Sequence, residues 1–267
     1  MKNEYRPLNL FSLFGVEMLK IRRSGIFWIL LIPAVMMWLP SAMNANVNFL
    51  VNPFDISPEH NYFIQGYMGL AWFMIPAMLI VCTVLLSQTE IRSRGLVKCL
   101  TLPVSTSKLC LAKFLVTIVL AAVQLVLSIA TYYGSALLAS KLYAYDFLLP
   151  LSYVCRCASL IYLAAVPAAA IYWMLSILIR TPIFSAGLGL ASIVPSVLML
   201  NTEIWYSYPP DYPFYILMTE YGRIAPDVFG AEIQLIPMLP IGICVTVFSL
   251  AIACARYGTA ERNSDSL

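Results

Sequence analysis

Six long stretches without a charged residue divide the chain, and they set its predicted architecture. A helix needs about 20 apolar residues to cross the roughly 30 Å hydrocarbon core of a bilayer. Each stretch is long enough to hold one such helix, so an all-α membrane protein with six transmembrane helices is predicted. The predicted spans are residues 24–43, 61–89, 114–140, 157–179, 181–202 and 233–255.

The more polar segments between the spans predict three further elements. Residues 8–23 place apolar side chains three and four positions apart, with charged residues on another face. This pattern is typical of an amphipathic helix that lies in the membrane interface against lipid headgroups. Residues 90–112 form a basic loop, and residues 203–232, rich in proline and tyrosine, are expected to fold back into the outer membrane surface as short helices. All of these belong to a single transmembrane domain, residues 1–267.

Composition agrees with a membrane protein, and charge predicts its orientation. Hydrophobic residues make up 61% of the chain and charged residues 11%, against about 25% charged in soluble domains. If the N-terminus is cytoplasmic, 13 of the 16 lysines and arginines lie inside and three outside. That bias follows the positive-inside rule and predicts that both termini are cytoplasmic. The net charge of +3 then combines a positively charged cytoplasmic side with a negatively charged outer side. It does not indicate nucleic-acid binding.

The chemistry of the predicted spans argues against an enzyme and against an ion-coupled carrier. The single histidine, His60, is expected in an outer loop, and no aspartate or glutamate lies within a span. Thr83, Gln124 and Ser128 are expected to make hydrogen bonds between helices. No nucleotide-binding run of the form G-x-x-x-x-G-K-[ST] occurs. We therefore expect no catalytic residue, metal site or cofactor, and any uphill transport must draw its energy from a partner.

The segment from Glu90 to Lys113, "EIRSRGLVKCLTLPVSTSKLCLAK", holds five of the basic residues between two charge-free spans. A short helix followed by a proline-broken turn would give a separate motor a rigid protrusion to grip. The segment resembles the signature after the second span in permeases of the ABC type-2 exporter family, although Leu96 departs from the hydroxyl residue often found there. The matching positions are Glu90, Arg92, Arg94, Gly95, Leu100, Pro103, Ser105 and Lys113. "VEMLKIRRSGIFWILLIP" is likewise similar to that family's elbow helix and first span.

The resemblance implies a set of partners and a coupling site. The chain would work with two copies of an ATPase subunit, which would hold the ATP and magnesium, and with a second related permease or a second copy of itself. Its place would be the bacterial cytoplasmic membrane. The alternative is that the basic residues only enforce topology. The implied ATPase-coupling residues are Glu90, Ile91, Arg92, Arg94, Gly95, Leu96, Lys98, Leu100 and Pro103.

Within that family, the small size and the run "WYSYPPDYPFYIL" most resemble the permeases of lantibiotic immunity and resistance. The resemblance implies export of a cationic antimicrobial peptide, with the acids and aromatic rings of the outer segment facing it. The implied substrate-facing residues are Glu203, Trp205, Tyr206, Tyr208, Asp211, Tyr212, Glu220 and Asp227. An ordinary aromatic belt is the alternative for this segment. The alternative substrates are a bacitracin-like peptide, a drug, a lipid and sodium. The alternative functions are a lipid-modifying membrane enzyme and a non-transporting sensor that associates with an ATPase.

Overall fold

A computed structural model describes most of the chain, although it does not describe the side chains of residues 89–93. The described ranges are 9–21, 25–50, 56–93, 105–179, 181–225 and 232–257. Throughout these ranges the regular structure is helical and contains no strand. The helices are α1 (Leu10–Ile21), α2 (Ile26–Met43), α3 (Val47–Leu50), α4 (Pro58–Gly69), α5 (Ile75–Ser93), α6 (Thr106–Tyr143), α7 (Leu151–Ala164), α8 (Val166–Leu178), α9 (Pro182–Ala191), α10 (Ser196–Met199), α11 (Tyr212–Ile224) and α12 (Leu235–Tyr257).

Six helical segments are long and apolar enough to cross a membrane, which confirms the six predicted spans. Two of them are irregular: span 2 joins α4 to α5 through a π-helical turn at Leu70–Met74, and span 4 is broken between α7 and α8. The spans are 1 (Ile26–Met43), 2 (Pro58–Gln88), 3 (Thr106–Tyr143), 4 (Leu151–Leu178), 5 (Pro182–Met199) and 6 (Leu235–Tyr257).

Spans 2 and 3 begin earlier than the charge pattern indicates. Proline at the first helical position starts α4 at Pro58, so His60 lies in its first turn and not in an outer loop as predicted. Ser105 caps α6 by accepting a hydrogen bond from the Lys108 backbone N–H at 3.3 Å. This helix of 38 residues is about 57 Å long at 1.5 Å per residue. Span 3 therefore extends well beyond the hydrocarbon core.

Because consecutive spans cross in opposite directions, the elements fall at two ends of the bundle. The α1 end contains α1, the end of α5 and the start of α6. The α11 end contains α11 and the 3₁₀ turns at Trp205–Ser207 and Pro209–Asp211. The charge bias predicts that the α1 end is cytoplasmic and the α11 end extracytoplasmic.

The core toward the α11 end is aromatic. Trp38 of span 1 is buried against the rings of Tyr62, Tyr67 and Tyr132, whose centroids lie 5.2 to 5.8 Å from its own. A Cβ at Gly66 would lie 2.2 Å from the Trp38 ring. Only glycine at position 66 therefore allows spans 1 and 2 to approach this closely.

Toward the α1 end the core combines larger side chains such as Trp173 with a run of alanines. Ala168, Ala169 and Ala170 of α8 are buried, and α8 packs chiefly against α12 and α5. Helix α1 packs against α6. The small side chains permit close helix contact, so spans 2, 4 and 6 and the α1–α6 pair meet near the predicted cytoplasmic surface.

Candidate functional site

A buried ion pair joins α1 to span 3. The Glu17 carboxylate lies 2.6 Å, Oε2 to Nζ, from Lys113 and 2.5 Å, Oε1 to Nζ, from Lys20. The side chains of Glu17 and Lys113 are 4% and 1% exposed, whereas that of Lys20 is 47% exposed. Charges are buried in proteins only when they are paired, because each loses its hydration. The pair therefore binds the N-terminal helix to the first turns of α6.

The ionisation of Glu17 depends on its two lysines. Burial by itself would raise the pKa of Glu17, but Lys113 first and Lys20 second hold the pKa below its ordinary value. The carboxylate is therefore ionised at neutral pH and holds Lys113 as its counter-ion.

The sequence contains a signal for the burial of Lys113, although not for the identity of its partner. The family resemblance identifies Lys113 only as the distal lysine of the basic segment. Leu109, Cys110, Val116 and Thr117 are buried on the same face of α6, and their spacing of three and four residues includes position 113. A lysine on an apolar helix face requires an acidic partner, which the tertiary structure supplies from α1.

Three of the predicted ATPase-coupling residues lie where span 2 ends. Glu90, Ile91 and Arg92 belong to the last turns of α5 at the α1 end. Arg94, Gly95, Leu96, Lys98, Leu100 and Pro103 lie outside the described residues. The coupling role of the set stays a prediction, and the described backbone places its beginning at the same end as the Glu17–Lys113 pair.

The outer segment folds as two 3₁₀ turns followed by α11, which packs against α7 and α4. Trp205 is held by ring stacking on Tyr215, with centroids 3.7 Å apart and planes inclined by 18°. Among the predicted substrate-facing residues, Glu203 is exposed, Tyr206 and Tyr208 are partly buried, Trp205, Asp211, Tyr212 and Glu220 are buried, and Asp227 lies outside the described residues. Glu203 is thus the described acid of this set that is placed to meet a solute.

Glu220 is already paired with two arginines. Its carboxylate lies 2.8 Å from Arg156 of α7 and 3.2 Å from Arg223 of α11. The guanidinium of Arg156 also lies 5.6 Å from the centre of the Tyr153 ring. Since its charge is neutralised within the fold, Glu220 chiefly fastens α11 to span 4.

Asp211 is buried without a partner. It is 0% exposed, and neither carboxylate oxygen makes a hydrogen bond. The nearby hydroxyl of Tyr208 is turned away and donates to the Ser192 carbonyl oxygen. Burial raises the pKa of Asp211 to about 7, so its protonation changes near neutral pH.

An apolar groove lies beside the outer segment. It has a volume of about 500 Å³ and is formed by α7, α8, α11 and α12. Leu160, Pro167, Ile216 and Met238 line it, and a Cβ at Gly242 would lie 3.2 Å from Pro167. A groove of this lining can accept aliphatic or aromatic groups. Glu203 and Glu232, which are exposed, lie at the two ends of the neighbouring outer segment.

Comparison with known proteins gives one family. The model of the ABC-2 family transporter protein matches residues 13–196, which is more than half of the 267 residues. The match includes most of α1, spans 1 to 4, the basic segment and most of span 5, and it ends before the outer segment. No curated protein and no solved structure matches the chain.

Proposed function

The chain belongs to the ABC-2 family of transporter proteins and is a membrane subunit of an ABC transporter, and from this premise we propose that it exports a cationic antimicrobial peptide of the lantibiotic class. The protein would remove the peptide from the membrane of a bacterium and so confer immunity or resistance. The family match over residues 13–196 carries the transporter assignment. The substrate class rests on the outer segment and its neighbouring groove.

Permeases of this family typically work with an ABC ATPase, and we propose that ATP is hydrolysed in that separate subunit. Two features of the chain support the proposal. The basic segment follows span 2 at the α1 end, and the Glu17–Lys113 pair ties α1 rigidly to the helix that follows this segment. A force applied to the segment by an ATPase would therefore reach span 3 and α1 together.

The proposed substrate is supported by charge and by shape. A cationic amphipathic peptide would place its basic side chains near Glu203 and Glu232, which are exposed. Its apolar side chains would enter the groove between α7, α8, α11 and α12. Because the permease would act as half of a pathway, a related permease or a second copy would complete it.

The first prediction tests the assembly. The chain is purified in mild detergent from its native host, and we expect an ATP-hydrolysing subunit to be retained. Joint replacement of Arg92→Ala and Arg94→Ala should release most of that subunit, because both charges lie in the proposed coupling segment. Lys108→Ala is the matched control, since Lys108 is exposed at the start of α6 and lies outside the proposed coupling set. Wild-type chain that retains no ATPase would contradict the proposal.

The second prediction tests the substrate class. The double variant Glu203→Gln and Glu232→Gln should lower protection against a cationic lantibiotic at low ionic strength. Exposed charge pairs contribute about 0.5–1 kcal/mol each, or roughly two- to fivefold per residue. The loss should shrink as salt screens the attraction. Inhibitory concentrations measured in cells that carry each variant provide the test.

The control for the double variant at Glu203 and Glu232 is Asp146→Asn. This change removes an exposed acid from the same end of the bundle but outside the outer segment. We expect this variant to protect as the wild type does. Equal loss with the Asp146 variant would mean that only the overall surface charge matters. Unchanged protection in the double variant would mean that the outer segment does not select a cationic peptide.

A further inference from the structure

Two of the polar residues within the spans, Thr83 and Gln124, do not make the hydrogen bonds between helices that the sequence predicts. Thr83 donates to the Ile80 carbonyl at 2.9 Å, and Ser128 donates to the Leu125 carbonyl at 2.8 Å, so both bond within their own helices. Gln124 is 5% exposed, and both its Oε1 and its Nε2 lack a partner. The prediction was therefore wrong for Thr83 and Gln124, and Gln124 is left with unmet hydrogen-bonding capacity.

A second unpartnered group faces the same space. The hydroxyl of Tyr67 in span 2 is buried and makes no hydrogen bond. Tyr67 and Gln124 both line a cavity of about 30 Å³ among spans 1 to 4, and Ser128 lines it as well. Three polar atoms without partners therefore belong to two residues that border one small cavity.

The helices around this cavity are irregular at the same level. Leu70, the first residue of the π-helical turn in span 2, lines it, and so does Ala165, at which span 4 is broken. π-helical turns inside α-helices are frequent at functional sites. Two irregular spans and an unpartnered glutamine of span 3 thus meet at one place in the bundle.

We propose that this cavity is a water-binding site, in which one water molecule bridges Gln124 and Tyr67. A cavity needs about 10–15 Å³ to hold a water molecule, which requires two to four polar partners. The volume and the polar lining meet both conditions. Water also suits the mixed lining, because it can accept a hydrogen bond from Nε2 of Gln124 and donate one to Oε1 or to the Tyr67 hydroxyl.

A bound cation fits this lining less well. A sodium ion could be coordinated by the oxygens of Gln124, Tyr67 and Ser128, but it would leave Nε2 of Gln124 without an acceptor. Among the described residues, no acidic side chain lines the cavity to balance the positive charge. The proposed water does not depend on the substrate of the transporter. Its consequence for transport is that spans 2 and 3 share a mobile bridging molecule at the level where span 2 is already irregular.

The direct test is a high-resolution structure of the full chain, alone or with its ATPase, in lipid nanodiscs. We expect solvent density within hydrogen-bonding distance of both Gln124 and Tyr67. The density should be lost in the double variant Gln124→Met and Tyr67→Phe. A cavity without density in the wild type would overturn the proposal.

Thermal unfolding gives an independent test with opposite signs for the two outcomes. If water is bound, Gln124→Met should lower Tm because the water loses its main partner. If the cavity is dry, the same change should raise Tm because it removes an unsatisfied buried amide.

A double-mutant cycle supplies the matched control. With shared water, the effects of Gln124→Met and Tyr67→Phe should be non-additive. Tyr62→Phe should be additive with Gln124→Met, because the Tyr62 hydroxyl already donates to Ser135 at 2.9 Å. Additive effects for the Tyr67 pair would count against a shared water. A rise in Tm of the wild type, but not of Gln124→Met, when sodium replaces choline in the buffer would assign the site to a cation instead.

Discussion

Replacing Lys113 with methionine should lower the free energy of unfolding by about 3–5 kcal/mol, the cost of breaking a buried ion pair by removing one partner. Among the described residues, the half-exposed Lys20 would then be the remaining partner of the buried Glu17. Because Lys20 still neutralises part of the charge, we expect the loss to lie at the lower end of this range. Chemical or thermal unfolding of the purified protein measures the change.

The double variant Glu17→Leu and Lys113→Leu is the control. Well-packed apolar residues can replace a buried ion pair with little loss of stability, so the double variant should be more stable than Lys113→Met alone. A single variant as stable as the wild type would show that the pair does not hold α1 against span 3. If the pair also transmits force from the ATPase, the double variant should remain folded while its transport-coupled ATP hydrolysis falls.

The second large effect concerns Asp211, whose replacement with asparagine should remove a pH dependence of stability. In the folded protein, burial raises the pKa of this carboxyl from 3.8 to about 7. The folded state therefore holds the proton more tightly, and wild-type stability falls as the pH rises from about 4 to about 7. A shift of this size corresponds to about 4 kcal/mol. An asparagine side chain does not ionise, so the Asp211→Asn variant should gain stability relative to the wild type across that window and keep the gain above it.

The control for Asp211→Asn is Glu203→Gln, which removes one acid of the same segment at an exposed position. Unfolding is measured for both variants and for the wild type from pH 4 to pH 8, and each variant is compared with the wild type at every pH. Other acids contribute equally to both sides of that comparison. A stability difference for Asp211→Asn that does not change with pH would show that Asp211 does not take up a proton on folding.

These two carboxylates show how differently the fold treats buried charge. Glu17 is buried with a lysine from another helix, and its ionised form is stabilised. Asp211 is buried with no partner, and its neutral form is favoured. The first arrangement suits a permanent mechanical connection at the predicted cytoplasmic end. The second would make the stability of the outer segment respond to pH on the opposite side of the membrane.

The sequence by itself determined the class, the six spans and the family resemblance. Whether a stretch can cross a bilayer depends on its own length and charge, so the spans could be read from the uncharged runs. Helix ends were less well predicted, because capping by Ser105 and the start at Pro58 depend on single residues outside those runs. The family signature around Glu90 consists of residues that are close together in the chain, so it could also be recognised from the sequence. The residues that match the family include it.

Only the tertiary structure decided which polar side chains are buried and which of them have partners. Glu17 and Lys113 are 96 residues apart in the chain, so neither residue type nor local spacing reveals that they meet. The sequence presented Asp211 and Glu220 alike as acids of the outer segment, yet one lacks a partner and the other binds two arginines. The state of Gln124 likewise depends on how spans 1 to 4 enclose it. Burial removes water as a partner, and which protein groups replace that water is determined by contacts between distant segments.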